Sequence, residues 1–173
     1  MGIQDECNEY LTQAKKELKA GEVYTSSAGK LNCKKIIHAV GPRWKGGSSD
    51  EENSLLAAVD GCFREAEKHK LQSIALPPLS TGIFGYPLGS AVSTIVKALQ
   101  QRESSGAFLP NLVIFTDNKD NSLRLFEQEL RQRYDQTSSK SSMPGNAQGG
   151  AVIILIFCFD FAQKFFFIGL LFV

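Results

Sequence analysis

The chain has 173 residues, with 19 basic and 18 acidic side chains and a formal net charge of +1. That length suits one domain with a real core and is short for two. Near-neutrality excludes a protein that holds a long polyanion by bulk charge; no basic stripe is visible, so no specific nucleic-acid partner is expected.

Cys7, Cys33, Cys62 and Cys158 are far apart and form no C-x-x-C pair, and His38 and His69 are the only histidines. The close ligand spacing of an ordinary zinc site is therefore lacking, and no metal is expected. The N-terminus, Met1-Gly-Ile-Gln-Asp-Glu, has no basic segment ahead of an apolar run. With free thiols, this predicts a reducing, intracellular setting.

In chain order, Ile3, Cys7, Leu11, Ala14 and Leu18 recur at helical spacing and predict a helix over 3–19, stopped by Gly21. Glu22 to Ser26 reads as a short strand, closed by a turn at Ala28-Gly29-Lys30. Lys35 to Val40 carries a nearly continuous apolar run, the pattern of a strand covered on both faces, ended by Gly41-Pro42. Ser49-Asp50-Glu51-Glu52 matches a capping box opening a helix that buries Leu55, Val59, Cys62 and Ala66. Trp44, between Arg43 and Lys45, reads as a loop aromatic beside two solvated cations, and Lys15, Lys16 and Lys19 as an outer helix face.

Ser73 to Leu76 is the next strand, and Pro87 opens a helix with Leu88, Val92, Ile95 and Leu99 inward. Asn111 to Thr116 is a further buried strand, followed by an amphipathic helix capped by Asp120 or Asn121 and running through Leu123, Phe126, Leu130 and Tyr134. Strands alternating with such helices define an α/β layered sheet with helices on both faces. Asp135 to Gly150 has nothing to bury and reads as a flexible linker.

Residues 151–173 form a hydrophobic C-terminal tail with Asp160 and Lys164 near its middle. Two central charges cost about 5–7 kcal/mol on the insertion scale, which roughly cancels the apolar gain. Membrane association is thus conceivable but not favoured, and a tail outside the domain is the expectation.

The segment with the clearest chemistry is Leu79-Ser-Thr-Gly-Ile-Phe-Gly-Tyr-Pro87, between strand and helix. No charged residue occurs from Leu71 to Val96, so an anion here must be held by backbone dipoles. Gly82 and Gly85 suit positive φ and close approach, while the following helix points free N–H groups and the positive end of its dipole at the loop. Ser80 and Thr81 add hydroxyls, and Phe84 and Tyr86 offer flat faces for a sugar or base. The position, after a strand of an open α/β sheet, is where such sheets bind ligands. Neither G-x-G-x-x-G nor G-x-x-x-x-G-K-[ST] is matched. Spacing alone leaves open a plain glycine turn with packing aromatics.

Two stretches, Gly21-Glu-Val-Tyr-Thr-Ser-Ser-Ala-Gly-Lys-Leu-Asn-Cys-Lys-Lys-Ile-Ile-His-Ala-Val-Gly-Pro-Arg-Trp44 and Ala75-Leu-Pro-Pro-Leu-Ser-Thr-Gly-Ile-Phe-Gly-Tyr-Pro87, resemble the macrodomain family. The details look most like macrodomains attached to poly(ADP-ribose) polymerase-related proteins. The resemblance implies a three-layer α/β/α sandwich with a mixed sheet over residues 1–134. It also implies a ligand, ADP-ribose or an ADP-ribosylated protein, with no further cofactor, in the nucleus and cytoplasm.

By the same resemblance the diphosphate rests on Ser80, Thr81, Gly82, Ile83, Phe84, Gly85 and Tyr86, with Phe84 beside the distal ribose. Phe115, Asp117 and Asn118 would lie toward the adenosine, and His38 would be a core residue rather than a catalyst. The family normally begins with two strands and a helix that have no counterpart here, one of those strands interior to the sheet. They carry the asparagine-containing loop that hydrolysing members use, so the expectation is a truncated, weakly binding reader without catalytic residues. ADP-ribosyl hydrolysis and a non-binding isoform are the alternatives.

Overall fold

The computed structural model describes residues 2–14, 17–117 and 119–138, together with the main chain of 153–160 and 164–172. Helix α1, Ile3–Ala14, docks on an antiparallel ribbon of β1, Val23–Ser27, and β2, Lys35–Ala39. The Tyr10 ring stacks on Tyr24 at 3.9 Å, and the Glu6 carboxylate accepts from the Ser27 amide at 2.8 Å and also from its hydroxyl. The helix is shorter than the predicted 3–19, because residues 17–19 are not helical and the Lys19 amide donates to the Glu22 carboxylate instead. Leu11, counted inward by its spacing, is 39% exposed; Tyr10 takes the contact.

Helix α2, Glu51–Lys68, buries Leu55, Val59, Cys62 and Ala66 as the periodicity requires. At Gly61 a Cβ would lie 2.9 Å from a Val23 methyl, so this glycine lets the ribbon lie close against the helix. The capping box does not form. Asp50 is the cap residue, in left-handed conformation with φ 59°, and makes no side-chain cap bond. The Glu51 carboxylate turns back instead, accepting from the amides of Lys45 at 2.9 Å, Gly47 at 3.2 Å and Ser49 at 2.5 Å. Three amides of one loop satisfy more of a buried carboxylate than a single reciprocal cap could.

Strand β3, Ser73–Leu76, helix α3, Leu88–Ser104, strand β4, Leu112–Asp117, and helix α4, Asp120–Ser138, follow in order. Pro87 lies one position before α3, as its cap residue. Strands β5, Ile153–Asp160, and β6, Lys164–Phe172, complete a mixed sheet of order β3-β4-β5-β6, with β3, β4 and β5 parallel and β6 antiparallel to β5. Of the hydrophobic stretch that the sequence analysis set apart, residues 153–160 have their main chain beside β4, with Leu112 opposite Ile153 and Asp117 opposite Cys158, and residues 164–172 lie beside β5. Among the described residues no helix is long and apolar enough to cross a membrane.

The core lies where α2, α3 and α4 meet β3 and β4, and includes Phe63, Ile95, Val113, Phe115, Phe126 and Leu130. At its edge the buried Arg102 of α3 ties three elements. Its guanidinium donates to Asp60 at 2.7 Å, to Glu67 at 2.8 Å and to the Phe108 carbonyl at 2.7 Å. The sheet is divided: β1 and β2 form one unit and β3 to β6 another, and the facing edges of β2 and β3 line a cleft of about 550 Å³.

Candidate anion-binding site

The loop between β3 and α3 is held by its own main chain. The Thr81 amide donates to the Pro78 carbonyl at 3.4 Å, Gly85 to Gly82 at 3.0 Å and Tyr86 to Ser80 at 3.0 Å. Among the described residues, the amides between them, those of Gly82, Ile83 and Phe84, meet no acceptor. Ile83 is 96% exposed, so these donors stand at the surface on a braced turn, just ahead of the N-terminus of α3. Successive free amides at a helix start form an anion nest that requires no cationic side chain.

The positive φ angles fall on Ser80, at 67°, and Gly85, at 68°, and not on Gly82, where the sequence analysis also placed one. Gly82 has a different use: a Cβ there would meet nothing within 4 Å, so the space over the free amides is open. Ser80 is an L-residue in a costly conformation, with a buried hydroxyl oxygen that has no hydrogen-bond partner. Gly41, just after β2, makes room for it, since a Cβ on Gly41 would come within 2.0 Å of that oxygen.

The loop after β2 supports the site from the side. Trp44 donates its amide to the Phe84 carbonyl at 2.8 Å and packs its indole on Tyr86, ring centroids 4.7 Å apart. The Arg43 guanidinium lies over the Phe84 ring, 5.9 Å from its centroid. Arg43 is the residue that reading along the chain missed: the site's own segment is uncharged, and the cation arrives from a distant loop. Glu51 orders that loop through its three amide bonds. Burial raises the Glu51 carboxyl, but the amides of Glu51 itself, Lys45, Ser49 and Gly47 outweigh it and hold it below the usual carboxylate range.

The other expected residues divide. Thr81 uses its hydroxyl within the loop, donating to the Pro78 carbonyl at 2.8 Å. Tyr86 faces inward at 4% exposure, so its ring is part of the core and its amide is already bonded. Phe115 is fully buried, stacked on Phe126 at 4.3 Å, and so is closed to an adenosine. Asn118 lies outside the described residues. His38 joins α1 to the ribbon, its Nε2 lying 2.9 Å from the Ser26 hydroxyl and 3.6 Å from the Cys7 sulfur. Among the described residues no group of three metal-ligating side chains forms.

Comparison with known proteins identifies the family. The model of the Macro domain family matches residues 1–95. An O-acetyl-ADP-ribose deacetylase of Salmonella typhimurium is 35% identical over 125 residues, 72% of this chain and 69% of that protein. The human protein mono-ADP-ribosyltransferase PARP14 is 33% identical over 146 residues, 82% of this chain but 8% of that protein. Another relative, from Thermotoga maritima, is likewise matched over 16% of its length. A solved Oceanobacillus iheyensis macrodomain with ADP superposes with a TM-score of 0.70 at 25% identity, covering 76% of this chain and 70% of that one. The chain belongs to the Macro domain family.

Proposed function

We propose that this chain binds ADP-ribose, free or attached to protein, and holds its diphosphate on the amides of Gly82, Ile83 and Phe84. The observation that carries this reading is the run of three unbonded, surface-facing amides on a braced turn at the start of α3. The related macrodomain structure with ADP supports the choice of a nucleoside diphosphate over a simple anion. Phe84, steadied by Arg43 above its ring and by Trp44 on its carbonyl, provides a flat wall for the sugar next to the diphosphate. Recognition here is by fixed dipoles, and the protein acts as a reader of ADP-ribosylation.

Calorimetric titration with ADP-ribose, ADP and adenosine tests the reading. Heat with the two diphosphates and none with adenosine supports it; equal binding of adenosine removes the diphosphate from the site. The deacetylase name carried by a relative favours a second reading, hydrolysis of an ester on the distal ribose. Release of acetate from O-acetyl-ADP-ribose by this chain alone would establish it.

A further inference from the structure

Side chains from three elements meet where α1 docks on the ribbon, outside the anion loop. Nε2 of His38, on β2, lies 3.6 Å from the Cys7 sulfur of α1 and 2.9 Å from the Ser26 hydroxyl oxygen of β1. Ser26 is 1% exposed and shut away from any reagent, whereas Cys7 and His38 are half-buried and reach solvent. The His38 ring is steadied by Tyr24, stacked at 5.8 Å, which is itself stacked on Tyr10. Two carboxylates flank Cys7 on α1, but both are committed elsewhere: Glu6 accepts from the Ser27 amide and hydroxyl, and Glu9 from the Gln13 amide group. Among the described residues His38 is thus the one base on the sulfur. A thiol with an imidazole nitrogen fixed beside it and one side open is the arrangement of an activated nucleophile.

We propose that Cys7 is a peroxide-reactive thiol, with His38 as the base that takes its proton. The sulfur attacks one peroxide oxygen, and the S–O bond forms as the O–O bond breaks. Sulfur gives up two electrons, the peroxide is reduced, and Cys7 becomes a sulfenic acid. The thiol proton passes to Nε2 of His38 and on to the departing hydroxide, which leaves as water. While Nε2 holds that proton it donates to the Ser26 oxygen, whose own hydrogen goes to the Ser27 carbonyl at 2.9 Å, so the imidazolium meets an acceptor. The half-buried sulfur, set between helix and ribbon, admits a small oxidant such as hydrogen peroxide. The other described cysteines lack one part each: Cys62 is buried, and Cys33 is exposed but has no imidazole on its sulfur.

Brief exposure of the full chain to hydrogen peroxide, with sulfenic acid trapped by dimedone and read by peptide mass, tests this. Cys7 is expected to gain the adduct about tenfold faster than Cys33, although Cys33 is the more exposed. That comparison uses the unaltered protein. His38→Asn removes the base and should slow labelling of Cys7 about tenfold, with Cys33 in the same molecule unchanged. The sign of that change separates the two roles of His38. A side chain that only held α1 in place would, once removed, open the contact and speed the labelling of Cys7. Labelling of Cys7 no faster than that of Cys33 in the wild type, or labelling in His38→Asn equal to or above wild type, overturns the proposal. Neither comparison involves the anion loop, so the thiol chemistry and the ADP-ribose reading stand or fall separately.

Discussion

The Cα of Gly41 faces the Ser80 side chain so closely that a Cβ would stand 2.0 Å from the Ser80 hydroxyl oxygen. The end of β2 and the start of the anion loop are thus packed together, although Gly41 and Ser80 are 39 positions apart in sequence. Gly41→Ala forces the Ser80 hydroxyl out of its place and should cost about 1–3 kcal/mol in urea unfolding, the usual range for overpacking. Adding Ser80→Gly removes the clashing oxygen and relieves the positive φ, so the double variant should regain most of that loss.

Acid should weaken the support of the site through Glu51. A folded-state carboxyl held below its ordinary value of 4.5 stabilises fully above that value, and the contribution fades as pH falls through the folded pKa. Glu51→Gln is therefore expected to be less stable than wild type at neutral pH, with the gap closing in acid. Glu6, held low by the Ser27 hydroxyl and amide, titrates in the same direction, so the comparison must be between variants rather than on wild type alone. A gap that stays constant down the acid limb of a pH-stability profile contradicts the assignment.

Arg102 is 8% exposed and bonded to Asp60, Glu67 and the Phe108 carbonyl. Removing one partner of a buried pair costs about 3–5 kcal/mol, and the partial exposure of both acids lowers that to roughly 2 kcal/mol for Arg102→Ala. Arg102→Lys should recover little, because an ammonium cannot reproduce the planar fork that meets all three acceptors. Chemical denaturation of the three proteins checks the order.

Thiol chemistry separates two cysteines. Burial pushes the Cys62 thiol up to about 12, with Glu65 adding to the effect, whereas Cys33 is exposed. Alkylation at mildly alkaline pH, read by peptide mass, should label Cys33 in the native protein and Cys62 only after unfolding.

Much of this was legible in local pattern. The α2, α3 and β3 segments followed from periodicity, and the loop announced itself by glycines and lack of charge. What stayed hidden depends on distance. Arg43 reaches Phe84 from another loop, Gly41 matters only because Ser80 lies against it, and Glu51 abandons its own helix cap for the amides of Lys45, Gly47 and Ser49. Phe84 and Tyr86 offered equal flat faces on paper, yet packing against Trp44 placed the Tyr86 ring in the core. Residues 153–160 show no alternation in a nearly continuous apolar run, so their pairing with β4 leaves no periodic mark in the sequence.

The central claim is that the Gly82, Ile83 and Phe84 amides hold a diphosphate, and amide-resolved NMR of the full chain during titration with ADP-ribose tests it most directly. The three amides should shift together and saturate with one affinity, and Gly82→Glu, which sets a like charge over them, should weaken that affinity about tenfold or more. Saturable binding that leaves these three amides unmoved, or that survives Gly82→Glu unchanged, would contradict the account.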